Sequence, residues 1–186
     1  MRDELTKIVQ SITPFDALEK AHTQDVLEWI QSGADLYRIQ KPDVPPKHLV
    51  SYFAVYDPVS NKILLQDHLL AKAWLAPGGH VEPDEDPVAT VHREAKEELG
   101  IRAEFLRDSA PEFITVTTTN GQGEHTDVSL WYILKGDENA KLTLEENAFA
   151  EVRWWPVEEI LQTPIEQFDA HMHRFITKMR AQNIFS

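Results

Sequence analysis

Residues 74–101, WLAPGGHVEPDEDPVATVHREAKEELGI, carry the signal that decides the fold. Pro77-Gly78-Gly79 predicts a glycine-rich turn that leads into an acidic loop. Asp86 is expected to cap a helix, because its side-chain oxygen can accept a hydrogen bond from an unpaired N–H of the first turn. Pro87 suits the first helical position, and Gly100 suits the left-handed residue that closes a helix. The segment is therefore predicted to be a loop, a helix of about three turns and the start of a strand.

The predicted helix carries three carboxylates on one face. Glu94, Glu97 and Glu98 are three and four positions apart and so are neighbours on the helix surface. Ala95 and Leu99 belong to an apolar stripe that should face the core, which leaves Glu98 half-buried at its edge. A solvated acidic face is the ordinary interpretation of such a run. Converging carboxylates repel one another without a cation, however, and oxygen ligands of this kind suit Mg²⁺.

A longer pattern surrounds these carboxylates. Gly79 is followed after five residues by Glu85 and, after seven more, by residues 93–101, REAKEELGI. This resembles the Nudix box, G-x5-E-x7-R-E-U-x-E-E-x-G-U, in which U is a bulky apolar residue; Ala95 is smaller than usual at its position. So many fixed residue types at fixed spacing are far more specific than a short glycine motif. The resemblance implies an α/β/α sandwich with a mixed sheet, here with an extra N-terminal helix and a C-terminal helix.

The resemblance also implies an activity and roles for individual residues. Most Nudix proteins use Mg²⁺ or Mn²⁺ to hydrolyse a diphosphate linkage in a nucleoside diphosphate joined to another group. By position, Glu97 and Glu98 would be the main metal ligands, helped by the Gly79 carbonyl. Glu94 would be a further ligand or the base that deprotonates water, and Arg93 would orient a glutamate.

Several residues outside the box are candidates for the same site. Several Nudix enzymes carry another glutamate in the loop before the last strand, where Glu146 or its neighbour Glu145 would act as ligand or base, with Glu151 as a weaker candidate. Four residues are candidate substrate contacts near the box or at the start of a predicted strand: Trp74, His80, His125 and Asp127. Three aromatic side chains are candidates for stacking on a base: Trp74, Tyr132 and Trp154.

Composition narrows the class of protein. The 186 residues, 42% hydrophobic and 26% charged, are enough for one core. The net charge of −13 disfavours nonspecific binding along nucleic acid. It does not exclude a small phosphorylated substrate, because a bound metal ion can invert the local potential. The absence of cysteine excludes disulfides and thiolate catalysis. No apolar run has the length of a membrane span or a signal core, so a cytoplasmic location is expected.

The remaining elements follow from periodicity and turn residues. Residues 1–46 are interpreted as a helical extension with a proline-rich linker, and residues 47–186 as the Nudix domain. The extension is expected to pack on the core, with a lid or dimer surface as the alternative. Predicted helices are at 14–30, capped by Thr13, at 156–161 and at 164–181. Predicted strands are at 48–56, 62–66, 101–106, 112–119, 126–134 and 149–155.

The favoured function is metal-dependent hydrolysis of a phosphoanhydride in a nucleoside diphosphate or triphosphate derivative. The alternative is a non-catalytic Nudix module that binds a nucleotide as a sensor. A third interpretation, the related isopentenyl diphosphate isomerase, is associated with a catalytic cysteine, which this chain lacks. The sequence does not identify the chemical group that the substrate carries beyond the diphosphate. It is compatible with a homodimer as well as with a monomer.

Overall fold

The computed structural model describes residues 2–40, 44–119, 125–144 and 149–186. Its elements combine helices with strands, as expected for the α/β class. The helices are α1 (Arg2–Ser11), α2 (Ala17–Gln31), α3 (Pro87–Leu99), α4 (Val157–Gln162) and α5 (Met172–Ala181), with a 3₁₀ turn at Ile165–Gln167. The strands are β1 (Lys47–Asp57), β2 (Lys62–His68), β3 (Ala73–Leu75), β4 (Gly78–His80), β5 (Phe113–Thr119), β6 (His125–Lys135) and β7 (Phe149–Pro156).

The chain divides into two compact units, each built from three segments. Unit 1 comprises residues 1–52, 78–91 and 108–132. Unit 2 comprises residues 53–77, 92–107 and 133–186. The domain division expected from the sequence, with a boundary near residue 46, stays a prediction.

Unit 1 contains two antiparallel strand pairs and the N-terminal helices. β4 pairs with the first half of β1, and β5 pairs along its length with β6. Helix α2 lies on β5, since the buried Glu19 carboxylate accepts hydrogen bonds from the N–H groups of Phe15 at 2.6 Å and Ile114 at 3.4 Å. His22 Nδ1 accepts a further bond from Val116 N at 3.3 Å. The packing role expected for the N-terminal extension is therefore observed for α2.

Unit 2 is centred on β2. This strand pairs in the antiparallel sense with the end of β1, with β3 and with β7. Asn61 turns the chain between β1 and β2 with φ 54°, as the predicted hairpin requires. The Trp155 ring packs edge-on against Trp74 at 5.2 Å and Phe168 at 5.1 Å, which ties β7 to β3 and the 3₁₀ turn.

The sheet is mixed, as predicted, because β1 and β6 run parallel. These strands are neighbours. In unit 1, Thr126 N donates to Pro46 O at 2.6 Å; in unit 2, Gly136 N donates to Tyr56 O at 2.7 Å. The two bonds join residues at the same sequence separation, which only parallel strands allow. The other strand pairs given above are antiparallel.

Helix α3 has the ends that its sequence predicts. Asp86 Oδ1 accepts a hydrogen bond from Val88 N at 2.8 Å, and the helix begins at Pro87. Gly100 has φ 66°, and its N–H donates to Lys96 O at 3.1 Å. The buried stripe of the helix is Val91, Ala95 and Leu99. Glu98 beside it is half-buried, as expected.

Four features of the predicted secondary structure are wrong: the starts of two helices, one strand and one turn. Helix α2 begins at Ala17 rather than 14, because Asp16, not Thr13, supplies the cap by accepting from Glu19 N. The final helix begins at Met172, because Ile165–Gln167 forms a 3₁₀ turn that ends at an extended Phe168. Residues 101–106 form no strand, since their only ladder step among the described residues is the bridge from Phe105 to Leu134. The predicted glycine turn at 77–79 is partly strand, because β4 pairs with β1.

In the described part of the chain, no helix combines the length and apolar character that crossing a membrane requires.

Candidate functional site

Arg93 connects two of the three carboxylates of the glutamate face, the surface of α3 formed by Glu94, Glu97 and Glu98. Its Nη1 donates to Glu94 Oε1 at 2.5 Å and lies 3.4 Å from Glu97 Oε2. The Glu94 side chain is 14% exposed and that of Glu97 is 55% exposed. The Arg93 guanidinium therefore holds the shielded Glu94 carboxylate and also lies close to the exposed Glu97 carboxylate, one turn further along the helix.

Glu98 is held from the sheet side. Gln66, a residue of β2 that is 2% exposed, donates from Nε2 to Glu98 Oε2 at 3.1 Å. A neutral amide orients the carboxylate without cancelling its charge, so the half-buried Glu98 favours an added cation. Three carboxylates and one arginine leave the face negative, and hard oxygen donors of this kind fit Mg²⁺ or Mn²⁺.

Glu85 stabilises the acidic loop. Its Oε2 accepts hydrogen bonds from Glu82 N at 3.1 Å and from Thr90 Oγ1 at 2.8 Å. Both contacts lie in unit 1, and Thr90 is buried in the first turns of α3. The side chain therefore fastens the loop to the helix.

Replacing Glu85 by alanine is expected to lower the free energy of unfolding by about 1–2 kcal/mol. The Glu82 N–H loses this acceptor, and the buried Thr90 hydroxyl keeps only its 3.4 Å contact with Asp86 O. Urea denaturation measures the change. The matched control is Glu82→Ala, an exposed loop neighbour whose backbone, not its side chain, makes this contact. Equal stability of the two variants would contradict the assignment.

Gly78 allows β4 to lie unusually close to β1. Its φ is 151°, and a Cβ atom built there would be 2.3 Å from Ser51 O and 2.9 Å from Tyr52 Cα. Both obstacles are backbone atoms, so neither can turn aside. The close approach places Gly79 opposite Ser51 and His80 opposite Val50.

His80 belongs to a group that we call the His/Asp cluster: His48 on β1, His80 on β4, and His125 and Asp127 on β6. One nitrogen or oxygen from each residue lies within 4.8 Å of those of the other three. Asp127 Oδ1 is 3.1, 3.7 and 3.4 Å from Nε2 of His48, His80 and His125. The Nε2 atoms of His48 and His80 are 2.9 Å apart. All four residues lie in unit 1.

Burial and the neighbouring imidazoles have opposite effects on the pKa of the Asp127 carboxyl. Burial raises the pKa of its carboxyl, but the imidazoles of His48, His80 and His125 lower it more, so the net pKa lies well below the usual value and the group is ionised. At His80, burial lowers the pKa and outweighs the opposite effect of Asp127. A neutral imidazole beside an ionised carboxylate is the form that a metal ion or a hydrogen-bonding ligand can use.

The remaining candidate site residues have different surroundings in the structure. Trp74 packs against Trp155, and Asp169 N donates to its carbonyl, so its visible contacts are structural. Tyr132 is completely buried, which rules out stacking on a substrate. Glu145 and Glu146 lie outside the described residues. Glu151 is an exposed residue of β7.

Sequence reasoning missed His48. The sequence predicts only that His48 is the first residue of a strand, whereas the residue is completely buried and contacts two other histidines. One signal was available, because His125 and Asp127 are two apart and therefore point to the same face of β6. The contributions of β1 and β4 depend on strand pairing, which no local pattern reveals.

A family model matches most of the chain. The model described as "NUDIX domain" covers residues 46–176. A curated relative, "Nudix hydrolase 26, chloroplastic" from Arabidopsis thaliana, is 28% identical over 124 residues, which are 58% of this chain and 57% of the relative. The match thus spans little more than half the length of that relative.

Solved structures share the fold. The MutT protein from Methanosarcina mazei Go1 has a TM-score of 0.56 at 23% identity, over 74% of this chain and 96% of that one. An Ap4A hydrolase from C. elegans, in a binary complex, has a TM-score of 0.57 at 20% identity, over 73% and 96%. At these identities the likeness concerns the fold, which agrees with the α/β architecture expected for the box.

Proposed function

This chain belongs to the Nudix family, and from that premise we propose that it is a pyrophosphohydrolase that cleaves a phosphoanhydride bond in a nucleoside diphosphate or triphosphate derivative. The observation that carries the proposal is the glutamate face with Arg93. Every charged position of the box is occupied, and Arg93 contacts both Glu94 and Glu97. A protein that only binds nucleotides has no need to keep the whole set.

Nudix enzymes generally need divalent cations, and we propose Mg²⁺ or Mn²⁺ held by Glu97 and Glu98, with Glu94 as a further ligand or as the general base. A contribution of the Gly79 carbonyl stays an expectation from the resemblance to the box. When bound, the cation supplies neutralisation of phosphate charge and a lowered pKa of the attacking water. The residues of the chain do the rest. Arg93 keeps Glu94 in one orientation, and Gln66 does so for Glu98. Rigid placement of ligands is what allows an active site to act without reorganisation.

Glu94 is our candidate for the general base. Water adds to one phosphorus of the diphosphate, its proton passes to a Glu94 oxygen, and the bridging oxygen leaves with the other phosphoryl group. Arg93 Nη1 donates to Glu94 Oε1 at 2.5 Å and so orients this carboxylate. Glu146, in the loop before β7, stays an alternative base.

The substrate proposed is a small nucleotide derivative. MutT and Ap4A hydrolase are named among the structures with this fold. The net charge of −13 weighs against long RNA, whose phosphates require basic side chains. Action as a homodimer and a cytoplasmic location stay predictions.

A substrate panel tests the proposal. Nucleoside triphosphates, nucleotide sugars, ADP-ribose and dinucleoside polyphosphates are incubated with Mg²⁺ or Mn²⁺, and products are identified by mass. We expect turnover of at least one compound and its loss on chelation. Reaction in H₂¹⁸O then places one label on the attacked phosphorus.

A panel without turnover, or without incorporation of the label, would contradict the proposed hydrolysis. If no compound is cleaved while calorimetry shows a nucleotide bound to the folded protein, the sensor alternative replaces hydrolysis. If labelled oxygen fails to enter the product, transfer to water is wrong even where the substrate is consumed.

A further inference from the structure

We propose that the His/Asp cluster is a second metal site, of the class that binds Zn²⁺ through three imidazole nitrogens and one carboxylate oxygen. It is separate in composition from the glutamate face, which offers oxygen ligands only. The proposal stands on distances, tautomers and an unpaired buried oxygen, and it does not depend on the proposed hydrolysis.

The distances match the size of a Zn²⁺ ion. Zinc–nitrogen and zinc–oxygen bonds of about 2.0–2.1 Å in a tetrahedron place neighbouring ligand atoms about 3.3 Å apart. Four of the contacts in the cluster lie between 2.9 and 3.7 Å: His48 to His80, and each of the three histidines to Asp127. The two remaining separations, from His125 to His48 and to His80, are at most 4.8 Å, so the four ligand atoms can surround an ion by moving inward.

The tautomers also suit a metal. His48 Nδ1 lies 3.0 Å from Pro45 O, an acceptor only, so the ring proton resides on Nδ1 and the neutral ring has a lone pair at Nε2. His125 Nδ1 similarly contacts Thr119 Oγ1 at 3.0 Å, and its Nε2 faces Asp127. Metal-binding histidines characteristically anchor their other nitrogen on a carbonyl or hydroxyl in this way.

Asp127 supplies the strongest indication. Its Oδ1 is buried and makes no contact among the described residues that meets strict hydrogen-bond geometry, although the Nε2 atoms of three imidazoles lie 3.1–3.7 Å away. An ionised buried oxygen without a directed donor is costly. A cation at the centre of the four ligands would satisfy this oxygen.

The cluster is accessible to an ion from solvent, and a bound ion would stabilise the fold. The His48 side chain is 0% exposed, but those of His80 and His125 are 26% and 18% exposed, so the cluster opens to solvent on one side. The ligands come from β1, β4 and β6. A bound ion would therefore cross-link three strands of unit 1 and stabilise the folded state.

Cobalt titration tests the site on the whole chain. Metal-free protein is titrated with Co²⁺, whose visible absorption is strong in a tetrahedral nitrogen and oxygen site, and Zn²⁺ is then added as competitor. We expect one Co²⁺ per chain in this form, displacement by Zn²⁺, and a higher Tm with Zn²⁺. Binding should weaken as the solution is made acidic, because protons compete with the metal for the ligand atoms.

Variants locate the ion. His125→Gln and Asp127→Asn should each weaken Co²⁺ binding at least tenfold. His92→Gln, an exposed histidine outside the cluster, and Glu98→Gln should leave it unchanged. Loss of binding in Glu98→Gln, or its survival in both cluster variants, would overturn the proposal.

A measurement on the unaltered chain guards against variants that fail to fold. Diethyl pyrocarbonate modifies neutral histidines, and mass spectrometry identifies which ones react. Zn²⁺ should protect His80 and His125 while His92 reacts as before. Equal modification of all three with and without Zn²⁺ would show that no ion binds there and that the cluster is a network of protons only.

Discussion

Replacing Glu98 by glutamine is expected to lower kcat by about a hundredfold or more, with a much smaller change in KM. Glutamine keeps the shape of the side chain and a carbonyl oxygen for the contact with Gln66, so the fold should persist. What disappears is one negative charge at a half-buried position. A divalent cation then loses a charged ligand, and the loss is largest in the transition state, where phosphate charge must be neutralised.

The matched control is Glu104→Gln. Glu104 belongs to the same unit, and its side chain is 72% exposed, with Oε1 3.6 Å from Lys135 Nζ. Its substitution should leave kcat within about twofold, because exposed ion pairs contribute little. If Glu98→Gln retained more than a tenth of the turnover at saturating Mg²⁺, Glu98 would not be a main metal ligand.

The second large effect concerns stability. Gly78→Ala is expected to lower the free energy of unfolding by about 3 kcal/mol or more, because a disfavoured φ and two backbone collisions add together. The new Cβ would meet Ser51 O at 2.3 Å, so β4 must move away from β1. Urea denaturation followed by circular dichroism measures the change.

Gly33→Ala separates the two causes. Gly33 also has a positive φ, 79°, but a Cβ atom there meets nothing within 4 Å. Its substitution should cost only about 1 kcal/mol, the price of the left-handed conformation. Similar losses in both variants would mean that the close approach of β4 to β1 contributes nothing measurable.

Local chemistry explains which parts of the fold could be predicted. The ends of α3 depend on Asp86, Pro87 and Gly100, each of which acts within one turn of itself, and the structure confirms them. The first residue of α2 cannot be predicted locally, because Thr13 and Asp16 both suit a cap and only the folded chain selects Asp16.

Non-local contacts explain what could not be predicted. The position of residues 101–106 after Gly100 predicts a strand, yet a strand needs a partner along its length, and among the described residues these have one bridge. The glycines of β4 predict a turn for the converse reason, since they become a strand only when β1 lies beside them. His48 joined the candidate site through the same pairing.

The residues that end helix α3 on each side limit where insertions and deletions can be tolerated. Asp86 fixes where the helix of 13 residues starts, and Gly100 fixes where it stops. One residue added between them would turn every side chain beyond it by about 100°. The carboxylates would then leave their shared face, or the buried stripe would turn outward. This segment should accept changes of residue but not of length, whereas additions belong in exposed irregular stretches such as residues 107–110.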